Sequence, residues 1–145
     1  MKLHEFLAIT LSLVQFPIAA ADIDYTLDFG VIIHNDIGEP IGFEKTKQIP
    51  ILHKGQSSLY GLVITSPENR EFLLNSVHVF PEQNDADNMK KMMGKSMLIQ
   101  KRGAILLRTD TEDQPGEYAM EIYIDSKLHQ VINYELIPTP NLTRL

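Results

Sequence analysis

The chain has 145 residues, a formal net charge of −6 and no cysteine. A chain without cysteine cannot form disulfides, use thiol catalysis, build cysteine-based zinc sites or carry a lipid anchor attached through cysteine. Because the chain is acidic and lacks clusters of Lys and Arg, it also does not fit the classes of protein that bind nucleic acid or anionic lipid, which require basic surfaces.

Residues 1–21 have the features of a cleavable secretory signal peptide. Lys2 supplies a positive charge, residues 6–14 are mostly apolar, and Ala19-Ala20-Ala21 supplies the small residues that precede a cleavage site. The apolar stretch is shorter than the roughly 20 residues that a transmembrane span needs. We therefore expect cleavage before Asp22, export to the periplasm or out of the cell, and no transmembrane segment in the mature chain.

Beyond residue 21, short apolar or alternating runs are separated by turn residues, which is the pattern of β-strands. The predicted strands cover residues 23–33, 46–52, 59–65, 72–80, 97–99, 104–108, 118–124 and 128–137. Seven or eight short strands without a long helix predict an all-β, immunoglobulin-like antiparallel β-sandwich. We assign this domain to residues 22–138 and a flexible C-terminal tail to residues 139–145.

Residues 81–95 interrupt the strand pattern. The first half of this segment is acidic and polar, and the second half is rich in Met and Lys. We expect a loop with at most one or two helical turns here. Residues 35–40 are predicted to be a second, turn-rich loop, and Pro50 places its strand at a sheet edge or a bulge.

Two turn motifs near the end of the chain support the sandwich. Gln114-Pro115-Gly116-Glu117-Tyr118 leads into the penultimate predicted strand. In immunoglobulin-like sandwiches a tyrosine at this point lies at a corner, and its hydroxyl hydrogen-bonds to the backbone of the preceding loop. Asp125-Ser126 is a tight turn that predicts a hairpin between the last two strands. Both motifs indicate a fold and neither indicates a function.

The order of several short motifs is similar to that of the DUF3859 family, exported bacterial immunoglobulin-like proteins of unknown function. The matching residues are Phe29-Gly30, Thr46, Ile49-Pro50, Gly55, Tyr60-Gly61, Pro115-Gly116-Glu117-Tyr118 and residues 128–136. Ser66-Pro67 departs from the His-Pro or similar pair of the family, and Tyr118 stands where the family often has Trp. The resemblance implies an immunoglobulin-like fold and no established activity, so it supplies no catalytic residues.

The histidines provide one set of candidate metal ligands. Beyond the signal peptide they are His34, His53, His78 and His129, and no two have the H-x-x-x-H spacing of a helical zinc site. His34 is close in sequence to Asp36, and His78 is close to Glu82, so a site assembled in space would suit zinc. The alternative is that these are separate surface or strand histidines.

A methionine cluster provides a second set of candidate ligands, Met89, Met92, Met93 and Met97. Thioether sulfur is a soft ligand that selects Cu(I), and His78 is a candidate to join it. The alternative is that these methionines fill gaps in packing or contact a partner. Lys90, Lys91 and Lys95 lie beside them and would repel a cation.

The sequence gives less support for a calcium site or a catalytic nucleophile. Two acidic runs are calcium candidates, but neither matches the D-x-[DN]-x-[DN]-G loop, so solvated acidic loops are the better reading. These runs are Glu82, Asp85 and Asp87, and Asp110, Glu112 and Asp113. The chain has no G-x-S-x-G motif, and Ser57-Ser58 and Ser126 have no nucleophile signature around them. We therefore expect neither catalysis nor a cofactor.

The sequence as a whole predicts an exported, non-catalytic β-sandwich that binds a protein or an envelope component. Exposed sheet edges suit addition of a partner strand, and homodimerisation through an edge is one form of this. The first alternative is a periplasmic copper- or zinc-binding protein that uses the methionine cluster and histidines. The second alternative is a hydrolase whose site is assembled from distant residues and is not visible in the sequence.

Overall fold

The structure is a computed structural model that describes residues 24–53, 56–82 and 85–139, without the side chains of residues 85 and 86. The predicted signal peptide and residues 140–145 of the predicted tail lie outside the described residues. The described part of the chain consists of strands and connecting loops and contains no helix. Within it, accordingly, no helix is long and apolar enough to cross a membrane.

Ten strands within the described ranges form two sheets. In chain order the strands are β1 (Thr26–His34), β2 (Pro40–Lys45), β3 (Gln48–Ile51), β4 (Leu59–Thr65), β5 (Glu71–Glu82), β6 (Asp85–Met93), β7 (Met97–Gln100), β8 (Arg102–Arg108), β9 (Gly116–Ile124) and β10 (Lys127–Pro138). The four-stranded sheet has the order β2-β1-β4-β8. The six-stranded sheet has the order β3-β10-β9-β5-β6, with β7 pairing with β5 beyond the end of β6. Each pairing is antiparallel except that β3 runs parallel to β10.

This architecture confirms the predicted antiparallel β-sandwich and adds two strands that the sequence pattern did not predict. Residues 81–95 were expected to be a loop with one or two helical turns, and this expectation is wrong because most of the segment forms β6. Strand β2 was also missed. All six of its residues are exposed, so it has no buried face that would give it an alternating pattern.

The core lies between the inner faces of the two sheets. Along β4, Leu62 and Ile64 are fully buried, and along β9 Met120 and Ile122 are fully buried. The spacing of two residues is that of one strand face, so the alternation in the sequence translates directly into the core. Burial of each such side chain contributes about 1.5–3 kcal/mol to folding. This packing holds the two sheets together without a disulfide.

The last hairpin forms as predicted. Asp125 and Ser126 have φ of 48° and 68°, and two positive values in succession define the tight turn that matches the twist of paired strands. The Asp125 backbone N–H donates to the Leu73 carbonyl oxygen at 2.9 Å, and its carboxylate accepts the Leu73 N–H at 3.0 Å. The hairpin turn is therefore fixed to β5 by two hydrogen bonds.

Strands β6 and β7 follow one another along the same edge of β5, with a break at residues 94–96. The backbone of the break stays close to β5, because the Gly94 N–H donates to the Ser76 carbonyl oxygen at 2.8 Å. A Cβ atom at Gly94 would lie 2.4 Å from the Ser76 hydroxyl oxygen, so a larger residue here would force the Ser76 side chain to move. After β7 the chain crosses to β8 at the edge of the other sheet, which leaves β6 and β8 on the same open side of the sandwich.

Candidate functional site: a cleft on the open side of the sandwich

A cavity of about 370 Å³, here called the cleft, lies between the sheets on this open side. One wall comes from β5 and β6, the other from the end of β8 and the loop that follows it, and tyrosines form the floor. The lining residues that bear on its chemistry are Tyr60, His78, Lys90, Met92, Arg108, Glu112, Asp113, Tyr118 and Tyr134. The cleft thus combines aromatic surface, one imidazole, one thioether and charges of both signs.

The floor is a cluster of three tyrosines from three different strands. The Tyr134 ring lies at the centre, 5.6 Å from the Tyr60 ring and 5.7 Å from the Tyr118 ring between centroids. The Tyr60 and Tyr134 hydroxyl oxygens are 3.5 Å apart, while the Tyr118 hydroxyl donates to the Gln114 carbonyl oxygen at 2.8 Å. The last contact is the corner hydrogen bond that the sequence predicted, so Tyr118 fixes the loop that borders the cleft.

Burial keeps these hydroxyls protonated. It is the main cause that raises the pKa of Tyr118 to about 12, and the nearby Asp113 carboxylate adds to the effect. Burial also raises the pKa of Tyr60 and of Tyr134 above the usual value for tyrosine. At neutral pH all three side chains are therefore uncharged, and the floor of the cleft presents neutral phenols and not phenolates.

His78 is the titratable group most deeply placed in the wall of the cleft, with only 8% of its surface exposed. Its ring nitrogen Nε2 is 3.0 Å from the Ser76 hydroxyl oxygen. Its other ring nitrogen, Nδ1, is buried and has no hydrogen-bond partner among the described residues. Burial lowers the pKa of His78, so the imidazole is neutral at pH 7.

Met92 lies directly opposite His78 in the pairing of β5 with β6. Directly opposed residues point to the same side of a sheet, and both side chains line the cleft. Because successive side chains of a strand alternate, Met89 and Met93 lie on the other face of β6. Met97 pairs with Leu74 and packs against the core. Leu74 lies four residues before His78 in β5, so the usual rise of a strand places Met97 about 13 Å from His78 along the sheet. The structure therefore brings one methionine of the predicted cluster next to His78.

The charges at the rim of the cleft are partly neutralised. Lys90 Nζ is 2.8 Å from Oε1 of Glu82, and the Asn88 side-chain amide donates to the other carboxylate oxygen, Oε2, at 2.7 Å. These contacts, above all the hydrogen bond from Lys90, lower the pKa of the Glu82 carboxyl group. Arg108 is exposed at the end of β8 and lines the cleft from the opposite wall.

The acidic loop after β8 uses its carboxylates to hold its own backbone. The Asp113 carboxylate accepts the Asp110 N–H at 2.6 Å, and the Asp110 carboxylate accepts the Glu112 N–H at 3.3 Å. Glu112 and Asp113 border the cleft. The run Glu82, Asp85 and Asp87 lies where β5 turns into β6, and Glu82 forms an ion pair with Lys90.

The other histidines lie on or beside three different strands. His34 ends β1, His53 follows β3, and His129 lies at the irregularity of β10, where its ring packs against Tyr25. Across the described ranges, no group of three or more His, Cys, Asp or Glu side chains is placed to hold a metal ion. The pairs His34 with Asp36 and His78 with Glu82, close in the sequence, are not joined into such a group.

The contact between Ser76 and His78 resembles a nucleophile next to a base, but its surroundings do not fit nucleophilic catalysis. Only 2% of Ser76 is exposed, and its hydroxyl lies beneath the backbone of Gly94. A catalytic histidine also needs a group that orients its second nitrogen, and the described residues provide none for His78 Nδ1. The pair is better explained as a buried polar contact within β5.

Sequence reasoning singled out His78 and Met92 but missed the tyrosine floor. Tyr60 and Tyr134 are 74 residues apart, and they meet only because β4 and β10 face each other across the sandwich. No local spacing could have indicated this contact. The alternation within each strand did place both tyrosines on an apolar face, which was the one available indication of their burial.

Comparisons with known proteins indicate the fold. No family model and no curated protein matches the chain, so the resemblance to the DUF3859 family is not confirmed. An immunoglobulin-like protein from Pseudomonas aeruginosa superposes with a TM-score of 0.55 at 13% identity, over 79% of this chain and 94% of that one.

Two larger enzymes contain a domain that superposes less well. An alkylpurine DNA glycosylase from Pseudomonas fluorescens has a TM-score of 0.42 at 10% identity, over 79% of this chain and 30% of that one. A β-glucosidase from Listeria innocua has a TM-score of 0.42 at 9% identity, over 79% of this chain and 16% of that one. These scores are too low to support any inference about this chain. The first comparison shows the immunoglobulin-like fold: the chain is an all-β, immunoglobulin-like sandwich.

Proposed function

We propose that the chain is an exported, non-catalytic binding module whose cleft receives a segment of a partner protein of the cell envelope. On the motifs that it shares with the DUF3859 family, we also place it in that family. The observation that carries the proposal is the position of the cleft between two sheet edges, β6 and β8. In the described part of the chain, neither edge is paired on its outer side.

An open edge presents unpaired backbone groups to which an extended segment can add as a further strand. A segment that pairs with β6 would place every second side chain towards the cleft, because strand side chains alternate. There it would meet Met92, which is 56% exposed, and the partly exposed ring of Tyr118. Methionine and tyrosine are adaptable and amphipathic contacts, which suits recognition of a peptide.

The chemistry of the cleft supports binding more than catalysis. The carboxylate of Asp113 is committed to a backbone N–H, and His78 is hydrogen-bonded to a serine that solvent barely reaches. A hydrolase would need a nucleophile or an acid and base pair that converge on an accessible point. Among the described residues, no contact joins the Glu112 and Asp113 carboxylates to the His78 imidazole as such a site would require.

A capture experiment with matched variants tests the proposal. The secreted protein is immobilised, incubated with envelope extract in the presence of a metal chelator, and the captured proteins are identified by mass spectrometry. We expect a partner that is captured by the wild-type protein and lost with Met92→Glu, which places a charge in the cleft. The control is Leu128→Glu, a similarly exposed position in the β9–β10 hairpin, and it should capture normally.

Two results would contradict the proposal. One is capture that Met92→Glu does not change, and the other is no capture above background together with a monomeric mass in solution. If the wild-type protein is a dimer and Met92→Glu is a monomer, the segment that β6 receives belongs to a second copy of this chain. The mass is measured by light scattering at the concentration used for capture.

Export has its own test. N-terminal sequencing of the protein recovered from the periplasm or the medium should begin at Asp22, because Ala19-Ala20-Ala21 provides the small residues of the cleavage site. A protein that is recovered only inside the cell and begins at Met1 or Lys2 would remove export from the proposal.

A further inference from the structure

We propose that His78 and Met92 form a binding site for Cu(I) in the wall of the cleft. This inference is independent of the partner protein, because it concerns two side chains of β5 and β6 and a metal ion alone. Either proposal can fail while the other stands.

The first observation is the unsatisfied nitrogen of a buried histidine. His78 is more than nine-tenths buried and lines the cleft, and its Nδ1 has no hydrogen-bond partner among the described residues. An unpaired buried polar atom is energetically unfavourable, so a ligand or an ordered water that bonds to Nδ1 would be stabilising. When Nε2 donates its hydrogen to the Ser76 hydroxyl oxygen, 3.0 Å away, Nδ1 is left unprotonated, as a metal ligand must be.

The second observation is the residue across from it. Met92 is the direct partner of His78 in the strand register, shares its face of the sheet and lines the same cleft. Its side chain is 56% exposed, so an ion can reach the sulfur from solvent. Thioether sulfur is a soft ligand and imidazole a borderline one, and this pair, which contains no carboxylate, suits Cu(I) and does not suit a hard ion such as calcium.

The charge around the pair does not exclude a cation. Lys90 lines the cleft, but its ammonium group is held 2.8 Å from the Glu82 carboxylate. Glu112 and Asp113 border the cleft from the opposite wall, so acidic as well as basic side chains line it.

The test is a Cu(I) titration of the metal-free secreted protein, under anaerobic and reducing conditions, against a chromophoric Cu(I) chelator. We expect one Cu(I) per chain. Met92→Leu should weaken binding at least about tenfold, as should His78→Gln. Met93→Leu makes the same chemical change at the next residue, on the opposite face of β6, and should leave the affinity unchanged.

Copper X-ray absorption gives a second readout, since one sulfur scatterer should be present in the wild-type protein and absent in Met92→Leu. The proposal is overturned by binding of well under one equivalent, by equal losses in Met92→Leu and Met93→Leu, or by Zn(II) binding more tightly than Cu(I). If His78→Gln fails to fold by circular dichroism, the two methionine variants still decide the question. A water bound to Nδ1 instead of copper would appear as the first of these contrary results.

Discussion

The β9–β10 hairpin and the β5–β6 hairpin are both built from long antiparallel strands, yet their polar groups and their exposure differ. In the first, the Asp125 turn is tied to β5 and the Tyr118 hydroxyl is bonded to the loop backbone. In the second, His78 has a ring nitrogen without a described partner, and Met92 and Met93 are largely exposed. The first hairpin is organised to hold the sandwich together. In the second, β5 contributes buried residues to the core, and the exposed methionine side chains lie on β6.

This difference separates the residues that stabilise the molecule from those that we propose for binding. The inner face of β9 carries fully buried side chains, whereas the described side chains of β6 from residue 87 onward are all exposed. Residues that contribute little to the core can change contacts without unfolding the protein. Substitutions in the two hairpins should therefore separate loss of stability from loss of binding.

The largest expected effect is the loss of protein stability when a buried residue of the β9–β10 hairpin is truncated. Ile122→Ala removes a fully buried side chain and should lower the free energy of unfolding by about 2–5 kcal/mol. Met93→Ala, at a position 77% exposed on β6, should change it by no more than about 0.5 kcal/mol. Urea denaturation of both variants measures the contrast, and comparable losses in the two would contradict the division between the hairpins.

A smaller effect is expected at the tyrosine corner. Tyr118→Phe removes the hydroxyl that donates to the Gln114 carbonyl oxygen and should cost about 0.5–1.5 kcal/mol of unfolding free energy. Tyr123→Phe is the matched control, since its hydroxyl donates to the Glu121 carboxylate on the outer face of the sheet. If the control loses as much stability as Tyr118→Phe, the corner has no special part in holding the loop beside the cleft.

The smallest effect concerns the pH dependence of stability. Burial lowers the pKa of His78 in the folded protein from its ordinary value of 6.5, so the unfolded chain takes up the proton first as the pH falls. The stability that depends on a neutral His78 is therefore fully present above about pH 6.5 and is lost as the pH falls towards the folded pKa. Urea denaturation between pH 7.5 and 5 should show this decrease for the wild-type protein.

His78→Gln should show a flatter dependence of stability on pH over the same range, because it removes the imidazole whose pKa is lowered by folding. His34→Gln, which keeps His78, is the matched control. A slope that His78→Gln leaves unchanged would mean that the decrease comes from other groups, and that burial of His78 has no measurable effect on folding.

The same contrast explains how much of the molecule could be predicted from the sequence. In β9, the alternation of Tyr118, Met120, Ile122 and Ile124, followed by the turn at Asp125, predicted the strand, its buried face and the hairpin. Each of these features depends on neighbours in the sequence. The corner hydrogen bond was predicted for the same reason, since its donor and acceptor are four residues apart.

Strand β6 could not be predicted in this way because its conformation comes from its partner. Its Met-Lys-Lys-Met-Met run has no alternation, and only pairing with β5 makes it a strand. The sequence drew attention to His78 through its closeness to Glu82, but the structure pairs Glu82 with Lys90 and places His78 opposite Met92. The sequence could therefore identify His78 and Met92 as candidates, but their pairing depends on the register between β5 and β6, which the sequence does not show.

We propose that the edge of β6 and the adjoining cleft form the binding surface. Hydrogen–deuterium exchange of the protein alone and with its captured partner tests this claim most directly, because an added strand protects the amides of the edge that it pairs with. We expect slower exchange in residues 85–93 and around Arg108 when the partner is bound, with the edges β2 and β3 unchanged. Protection confined to β2 or β3, with residues 85–93 exchanging as before, would contradict the claim.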